Sequence, residues 1–275
     1  MPTLDHTQHS DFALIEALIP AVIEAGETIV SIRAAGLTVE TKADNSPVTR
    51  ADRAAEAILL AALKELAPEL PVVAEEEVAA GRVPEVADAF FAVDALDGTK
   101  DFLRGGDDFT VNIGLVRAGA AMAGIVFAPA RGLVWYGAVG DGAWKIRIGD
   151  PAQEPQPIAV RQPPETLDIV ASRSHRTPET DAFIAKFPGS RIVAAGSSLK
   201  LVAVAEGEAD LYPRLGTTSQ WDIAAGNAIL TAAGGRVLDL DGNLLGYGAG
   251  KGPAGPHPFL NHWFVATGVV DPFAG

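Results

Sequence analysis

Phe90-Phe91-Ala92-Val93-Asp94-Ala95-Leu96-Asp97-Gly98-Thr99-Lys100-Asp101 is an apolar run that ends in carboxylates. Short apolar runs of this kind read as buried strands, here with carboxylates at the end. Asp94 and Asp97 are three apart, so a tight turn can aim both at one point. Gly98 allows close backbone approach there, and Thr99 adds a hydroxyl. Hard cations such as Mg²⁺ take this set of oxygens, with a bound phosphate completing the shell. Read alone, the spacing favours an Asp-rich turn in which Asp97 caps a helix starting at Thr99. Other carboxylates must tip the balance.

Upstream, Pro71-Val72-Val73-Ala74 is another short apolar run, and it ends in Glu75-Glu76-Glu77. If the two runs pair as strands, Glu75 comes beside Asp94; otherwise the triplet is a solvated acidic loop. Further back, Thr49-x-x-Asp52 opens a helix in capping-box form that runs to about Leu66, and Pro68 closes it. Ile15, Leu18, Ile19, Val22 and Ile23 mark an amphipathic helix, or two half-helices around Pro20, over 11–35. Downstream, Phe109 to Ile148 reads as an antiparallel meander with turns at Ala118-Gly119, Ala130-Arg131-Gly132 and Gly140-Asp141-Gly142. Asp150 to Pro164 holds five prolines and little apolar pattern, which places a lobe boundary near 150. Beyond it, strand-like and helical segments alternate: Asp168–Ala171, a helix after Pro178, Arg191–Val193, a helix from about Ser198 to Glu206, Asp210–Tyr212, a helix from about Trp221 to Gly234-Gly235, and a strand from Arg236 to Leu240. These readings give a lobe over 1–150 and a second over 151–275, which together make one domain. Asp222, in the first turn of the Trp221 helix, is a further carboxylate, although an acid there also suits the helix dipole.

The chain has 275 residues, 48% of them hydrophobic and 20% charged, enough for a large buried core. Lys plus Arg number 21 against 35 Asp plus Glu, and the net charge of −14 argues against nucleic-acid binding. With no cysteine, any metal must sit on oxygens or histidines, and a reducing compartment is suited. No Lys or Arg precedes Arg33, and Gly252 to Val270, the longest uncharged stretch, is broken by prolines. These features predict a cytoplasmic chain with no transmembrane segment. The first helix has no cationic face for anionic lipid, which disfavours peripheral membrane association without excluding it.

Taken in order, Pro47-Val48-Thr49-Arg50-Ala51-Asp52, Val73-Ala74-Glu75-Glu76, Asp94-Ala95-Leu96-Asp97-Gly98-Thr99 and Trp221-Asp222-Ile223-Ala224-Ala225-Gly226 resemble the inositol monophosphatase superfamily of lithium-sensitive, Mg²⁺-dependent phosphatases. The resemblance covers nearly the whole chain and implies a layered αβαβα sandwich of the α/β (α+β) class. Within the superfamily, Asp97-Gly98-Thr99-Lys100-Asp101-Phe102, Phe109-Thr110-Val111-Asn112-Ile113, Ser172-Arg173-Ser174-His175, Gly196-Ser197-Ser198-Leu199-Lys200 and Asp210-Leu211-Tyr212-Pro213-Arg214 are similar to 3′(2′),5′-bisphosphate nucleotidases of the CysQ type. Inositol monophosphatases usually carry an acid where Arg214 stands. Arg214 and Lys200 suit a second phosphate, because a cation pairs with phosphate and not with a neutral hydroxyl. Ala95 replaces a usual Pro and Ala74 a frequent Ser, and neither change removes a ligand.

The resemblance implies that Glu75, Asp94 and the Leu96 carbonyl hold one Mg²⁺, and Asp94, Asp97 and Asp222 a second; the count is two, or three with a further ion. Thr99, with Asp52 or Glu75, is implied to orient the attacking water, and the Gly98 and Thr99 amides to cradle phosphate. Glu75, Leu96, Asp97, Gly98, Thr99, His175, Lys200, Arg214 and Asp222 form the implied substrate contacts, with His175 facing the nucleoside or serving structure alone. The implied substrate is a small phosphonucleotide, adenosine 3′,5′-bisphosphate, a by-product of sulfate activation, and the implied state a monomer or homodimer. Rival readings are an inositol or sugar phosphatase with the same cage, and a non-catalytic Mg²⁺ and nucleotide sensor. A haloacid-dehalogenase type enzyme would show one residue between its aspartates, where this chain has Ala95 and Leu96.

Overall fold

The computed structural model describes residues 10–36, 39–41, 47–149, 154–171 and 176–273. His175 and the rest of Ser172–His175 lie outside the described residues. The chain runs α1 (Asp11–Ala35), β1 (Val39–Thr41), β2 (Pro47–Thr49), α2 (Arg50–Leu66), β3 (Val72–Ala74), α3 (Glu75–Ala79), β4 (Ala89–Asp97), α4 (Thr99–Leu103), β5 (Thr110–Arg117), β6 (Ala120–Ala128), β7 (Leu133–Ala138), β8 (Gly142–Arg147) and β9 (Gln156–Ile158). It continues with β10 (Asp168–Ala171), α5 (Pro178–Ile184), β11 (Arg191–Ala194), α6 (Leu199–Ala205), β12 (Leu211–Arg214), α7 (Gln220–Ala232), β13 (Arg236–Asp239) and β14 (Phe264–Thr267).

The strands form a seven-stranded sheet, β3-β4-β5-β6-β7-β8-β9, a five-stranded sheet, β11-β10-β12-β14-β13, and the small β1-β2 pair. Ile15, Leu18, Val22 and Ile29 of α1 and Ala55, Leu59 and Leu63 of α2 are fully buried at helical spacing, and they pack on one face of the larger sheet. α6 and α7 lie between the two sheets, where Leu201, Val204, Ala225 and Ile229 meet Val126, Trp135, Tyr212 and Phe264. Phe183 and Ile184 of α5 cover the far face of the smaller sheet against Ile169, Leu211 and Val265. The layers therefore read αβαβα, as the resemblance implied.

Several local features differ from the sequence expectation. α1 runs unbroken through Pro20, whose side is exposed to solvent. The β9 strand falls inside the proline-rich stretch and adds an edge to the larger sheet, which therefore ends at residue 158 and not at 150. The β14 strand lies in the uncharged stretch before Val270 and pairs with both β12 and β13, so β13 joins the smaller sheet only through this late segment. Neither is readable from pattern, because a three- or four-residue strand is shorter than one period of convincing alternation.

Candidate metal and phosphate site

The β3 and β4 strands are parallel neighbours with Ala74 opposite Val93, so the residues that follow, Glu75 and Asp94, emerge side by side. The β4 strand does not stop at Asp94. Its pairing with β5 passes from Asp94 opposite Asn112 to Asp97 opposite Thr110, three residues against two. In a regular strand, residues three apart point to opposite faces. The extra residue of this bulge returns Asp94 and Asp97 to one face. Ala95 and Leu96, the spacer, turn instead into the core beneath α1 and α2. Gly98 then takes φ +93°, and an added Cβ would lie 2.7 Å from the Asp108 carbonyl oxygen. A larger residue there would strain the turn that starts α4.

Asp222 arrives from the middle layer. An added Cβ on Gly114 would meet Ala225 N at 2.7 Å, and one on Gly124 would meet Ala225 O at 2.5 Å, so these glycines let α7 lie directly on the sheet. As a result, Glu75, Asp94 and Asp222 each offer an oxygen within 4.8 Å of the others. The Asp97 carboxylate sits next to this trio, where Oδ2 accepts hydrogen bonds from Ser197 Oγ at 2.6 Å and Ser198 Oγ at 3.4 Å. It does not cap α4, whose N-cap is Gly98 without a side-chain bond.

Two aspartates serve a helix end and the site together. Asp52 Oδ2 accepts from Thr49 N and Thr49 Oγ1, both at 2.7 Å, in the capping box, while Oδ1 accepts from Thr99 Oγ1 at 3.3 Å. Thr99 Oγ1 also lies 3.1 Å from the Leu96 carbonyl oxygen. Asp222 Oδ2 accepts from Ser219 N at 2.8 Å while its carboxylate faces Glu75 and Asp94. The capping and functional readings of each residue therefore hold at once.

The electrostatics are those of a cation site, with buried carboxylates held against one another. Burial pushes the Asp94 carboxyl well above its usual range, and Glu75, Asp97 and Asp222 push it further. Asp222 is raised likewise, by burial and then by Asp97 and Glu75. Lys200 is buried on the other side, with Nζ donating to the Ser197 carbonyl at 2.5 Å and lying over the Tyr212 ring. Burial brings its ammonium down to about 8, Arg214 lowers it too, and Asp97 and Asp222 oppose the fall. Arg214 donates from Nη2 to the Thr217 carbonyl at 2.8 Å. Two cations thus stand close to each other beside an acidic cluster.

Sequence reasoning did not single out several of these groups. Glu56 is buried one helical turn after Asp52, accepts from Glu76 N at 2.9 Å, and is raised to about 7 by burial and then by Glu76, Glu77 and Glu75. The four-residue spacing from Asp52 placed both on one face of α2 and could have found it. Ser197, Ser198 and Thr110 were quoted only as pattern. Ser197 has φ +51°, its hydroxyl bonds Thr110 Oγ1 as well as Asp97, and Ser198 Oγ donates to the Asp222 carbonyl at 2.7 Å. Asp108 secures the same loop through Gly196 N at 2.9 Å and through Arg131.

The oxygen-only donors, drawn from separate elements and repelling one another, fit a hard divalent cation. Layers and cluster together define a class. The family model described as the inositol monophosphatase family matches residues 12–269, and the chain belongs to that family. It is 40% identical over 236 residues to the 3′(2′),5′-bisphosphate nucleotidase CysQ of Salmonella typhimurium, covering 85% of this chain and 94% of that one. CysQ of Escherichia coli K12 is 41% identical over 211 residues, 77% of this chain and 83% of that one. Among solved structures, CysQ from Bacteroides thetaiotaomicron superposes with a TM-score of 0.77 at 33% identity, covering 94% and 98% of the two chains. Inositol monophosphatase from Anabaena gives 0.67 at 25% identity, covering 92% and 89%.

Proposed function

We propose that the protein is a Mg²⁺-dependent 3′(2′),5′-bisphosphate nucleotidase that hydrolyses the 3′-phosphate of adenosine 3′,5′-bisphosphate to AMP and phosphate. The observation that carries this reading is the juxtaposition of the Glu75–Asp94–Asp222 cluster with the cations Lys200 and Arg214. The cluster accounts for the phosphoryl group that reacts, and the cations for a phosphate that does not. The relatives named CysQ support the same substrate class.

Glu75, Asp94, Asp97, Asp222 and the Leu96 carbonyl are the groups that would hold two Mg²⁺. Bound there, the ions supply charge stabilisation for the phosphoryl oxygens and a water of lowered pKa. The protein's own share is alignment and proton handling. Thr99 Oγ1 donates to Asp52 Oδ1, so its oxygen lone pairs are left to accept a hydrogen bond from the attacking water; as Thr99 takes up the water's proton it passes its own to Asp52 Oδ1. Asp52 is held for this by the Thr49 cap, which fixes its other oxygen. The Gly98 and Thr99 amides, at the start of α4, are assigned to cradle the phosphate, and His175 to the nucleoside end. A Cys nucleophile is absent and no phosphoenzyme is required.

Phosphate release from adenosine 3′,5′-bisphosphate, inositol 1-phosphate and fructose 1,6-bisphosphate, with Mg²⁺ and with chelator, tests the reading. The nucleotide should turn over only with Mg²⁺, and Asp97→Asn should lose about 10²-fold or more in kcat. Preference for inositol 1-phosphate would leave the cage standing and overturn the role of Arg214. No turnover of any of the three would overturn the enzyme reading.

A further inference from the structure

Asn112 of β5 is wholly buried, and neither Nδ2 nor Oδ1 has a hydrogen-bond partner among the described residues. On the face to which Asn112 points, its β6 partner Val126 and, four residues on, Val116 are buried and apolar. An amide left unpaired in such surroundings costs on the order of 1–3 kcal/mol, which a branched aliphatic side chain would not. The strand register sets Asn112 directly opposite Asp94. Side chains of such a pair leave the sheet on the same face, with Cβ atoms about 5 Å apart. Gly114, two residues on and therefore on that same face, is where the α7 backbone presses against the sheet. Asn112 is thus enclosed in the middle layer beside one carboxylate of the cluster and under the helix that brings another.

Asp94 already has one oxygen directed by the protein: Oδ1 accepts from Leu96 N at 3.0 Å. A second donor from the side would fix the rotation of the carboxylate plane. We infer that Asn112 is a positioning residue for Asp94, its amide N–H donating to the carboxylate when Asp94 holds a divalent cation. The inference rests on reading Glu75, Asp94 and Asp222 as a cation site. A carboxamide suits the position because it donates without bringing a charge that would compete with the cation, as Lys or Arg would. Partners of this kind typically alter metal affinity 10- to 100-fold.

Asn112→Val and Asn112→Thr form a matched pair, both β-branched and at home in a strand, differing by a methyl for a hydroxyl. Mg²⁺ affinity is measured by titration calorimetry on the full chain, and thermal unfolding is followed in chelator. Asn112→Val should bind Mg²⁺ about 10-fold more weakly or worse, yet unfold in chelator at or above the wild-type temperature, because the unpaired amide is gone. Asn112→Thr should recover part of the affinity. Equal Mg²⁺ binding by Asn112→Val and wild type would overturn the inference, and so would Asn112→Thr binding no better than Asn112→Val. An Asn112→Val protein that unfolds early or fails to fold in chelator would overturn it too, by making Asn112 a partner of the metal-free fold. Wild type showing no saturable Mg²⁺ binding is a separate result, which would remove the cation site itself.

Discussion

Glu56 carries the clearest pH signature of the residues around the site. Its carboxyl gives up a proton at about 7 in the folded chain, against 4.5 for an unhindered glutamate, because it is buried and faces Glu75, Glu76 and Glu77. Between these two values the folded state binds more protons than the unfolded state, so stability falls as pH rises through the window. Below it both states are protonated and the difference vanishes; above it the full cost of the ionised form remains. Glu56→Gln keeps an acceptor for Glu76 N and removes the charge. In chelator, denaturant unfolding should therefore show the variant about 2–3 kcal/mol more stable than wild type at about pH 8, with little difference near pH 4.5. An equal gain at both pH values would show that the ionised form is not the cause. At the same scale, Asp52 and Asp222 show why a helix-cap reading does not compete with a functional one: a carboxylate has two oxygens, and the cap uses only Oδ2.

At the scale of elements, the close approach of α7 to the larger sheet decides whether Asp222 reaches the cluster. Gly124→Ala would drive a methyl group into the Ala225 carbonyl oxygen, a backbone atom that can yield only if the helix moves. We expect a loss of about 1–3 kcal/mol in stability together with weaker Mg²⁺ binding, because Asp222 rides on the displaced helix. Gly246→Ala, where an added Cβ meets nothing within 4 Å, is the matching control and should leave both unchanged. If Gly124→Ala lost stability and kept full Mg²⁺ affinity, α7 would not be what places Asp222. The bulge in β4 is the other element-scale device. A spacer of two residues between Asp94 and Asp97 makes sense only with the bulge, since a flat strand would separate them onto opposite faces.

Over the whole molecule, the site lies where the two sheets and the middle helices meet. Asp94 comes from the larger sheet and Glu75 from the start of α3, directly after that sheet's β3 strand; Lys200 and Arg214 come from α6 and the smaller sheet, and Asp222 from α7. Hydrogen bonds tie the halves together near it, Thr110 to Ser197 and Gly196 to Asp108, and farther off Trp135 Nε1 and Lys145 Nζ reach the Glu206 carboxylate at 3.1 and 2.5 Å. A cation that satisfies carboxylates from both sides of this seam stabilises the folded state alone. Mg²⁺ at about 100 times its Kd should add about 2.7 kcal/mol, read as a higher Tm than in chelator at matched ionic strength. Asp97→Asn should reduce the gain, and an unchanged wild-type Tm would contradict the cage. No helix among the described residues is long and apolar enough to cross a membrane.

Much of this arrangement was legible in the chain itself. The apolar runs that end in Glu75 and Asp94, the capping box at Thr49, the meander from Phe109 and the alternation after Asp168 are local patterns, and local patterns follow from residue spacing along one element. They determined the fold class and, with the order of the carboxylate motifs, the family and the candidate ligands. Tertiary structure alone decided which oxygens converge. Register set Asn112 against Asp94, a bulge turned Asp97 to the same face, and glycines on two strands let α7 deliver Asp222. Glu56, Ser197 and Asp108 entered the site the same way, from segments brought together only by packing. The physical reason is that a burial pattern specifies which face of an element turns inward, whereas contact between elements depends on how closely their backbones approach, and that distance is set jointly by residues far apart in sequence.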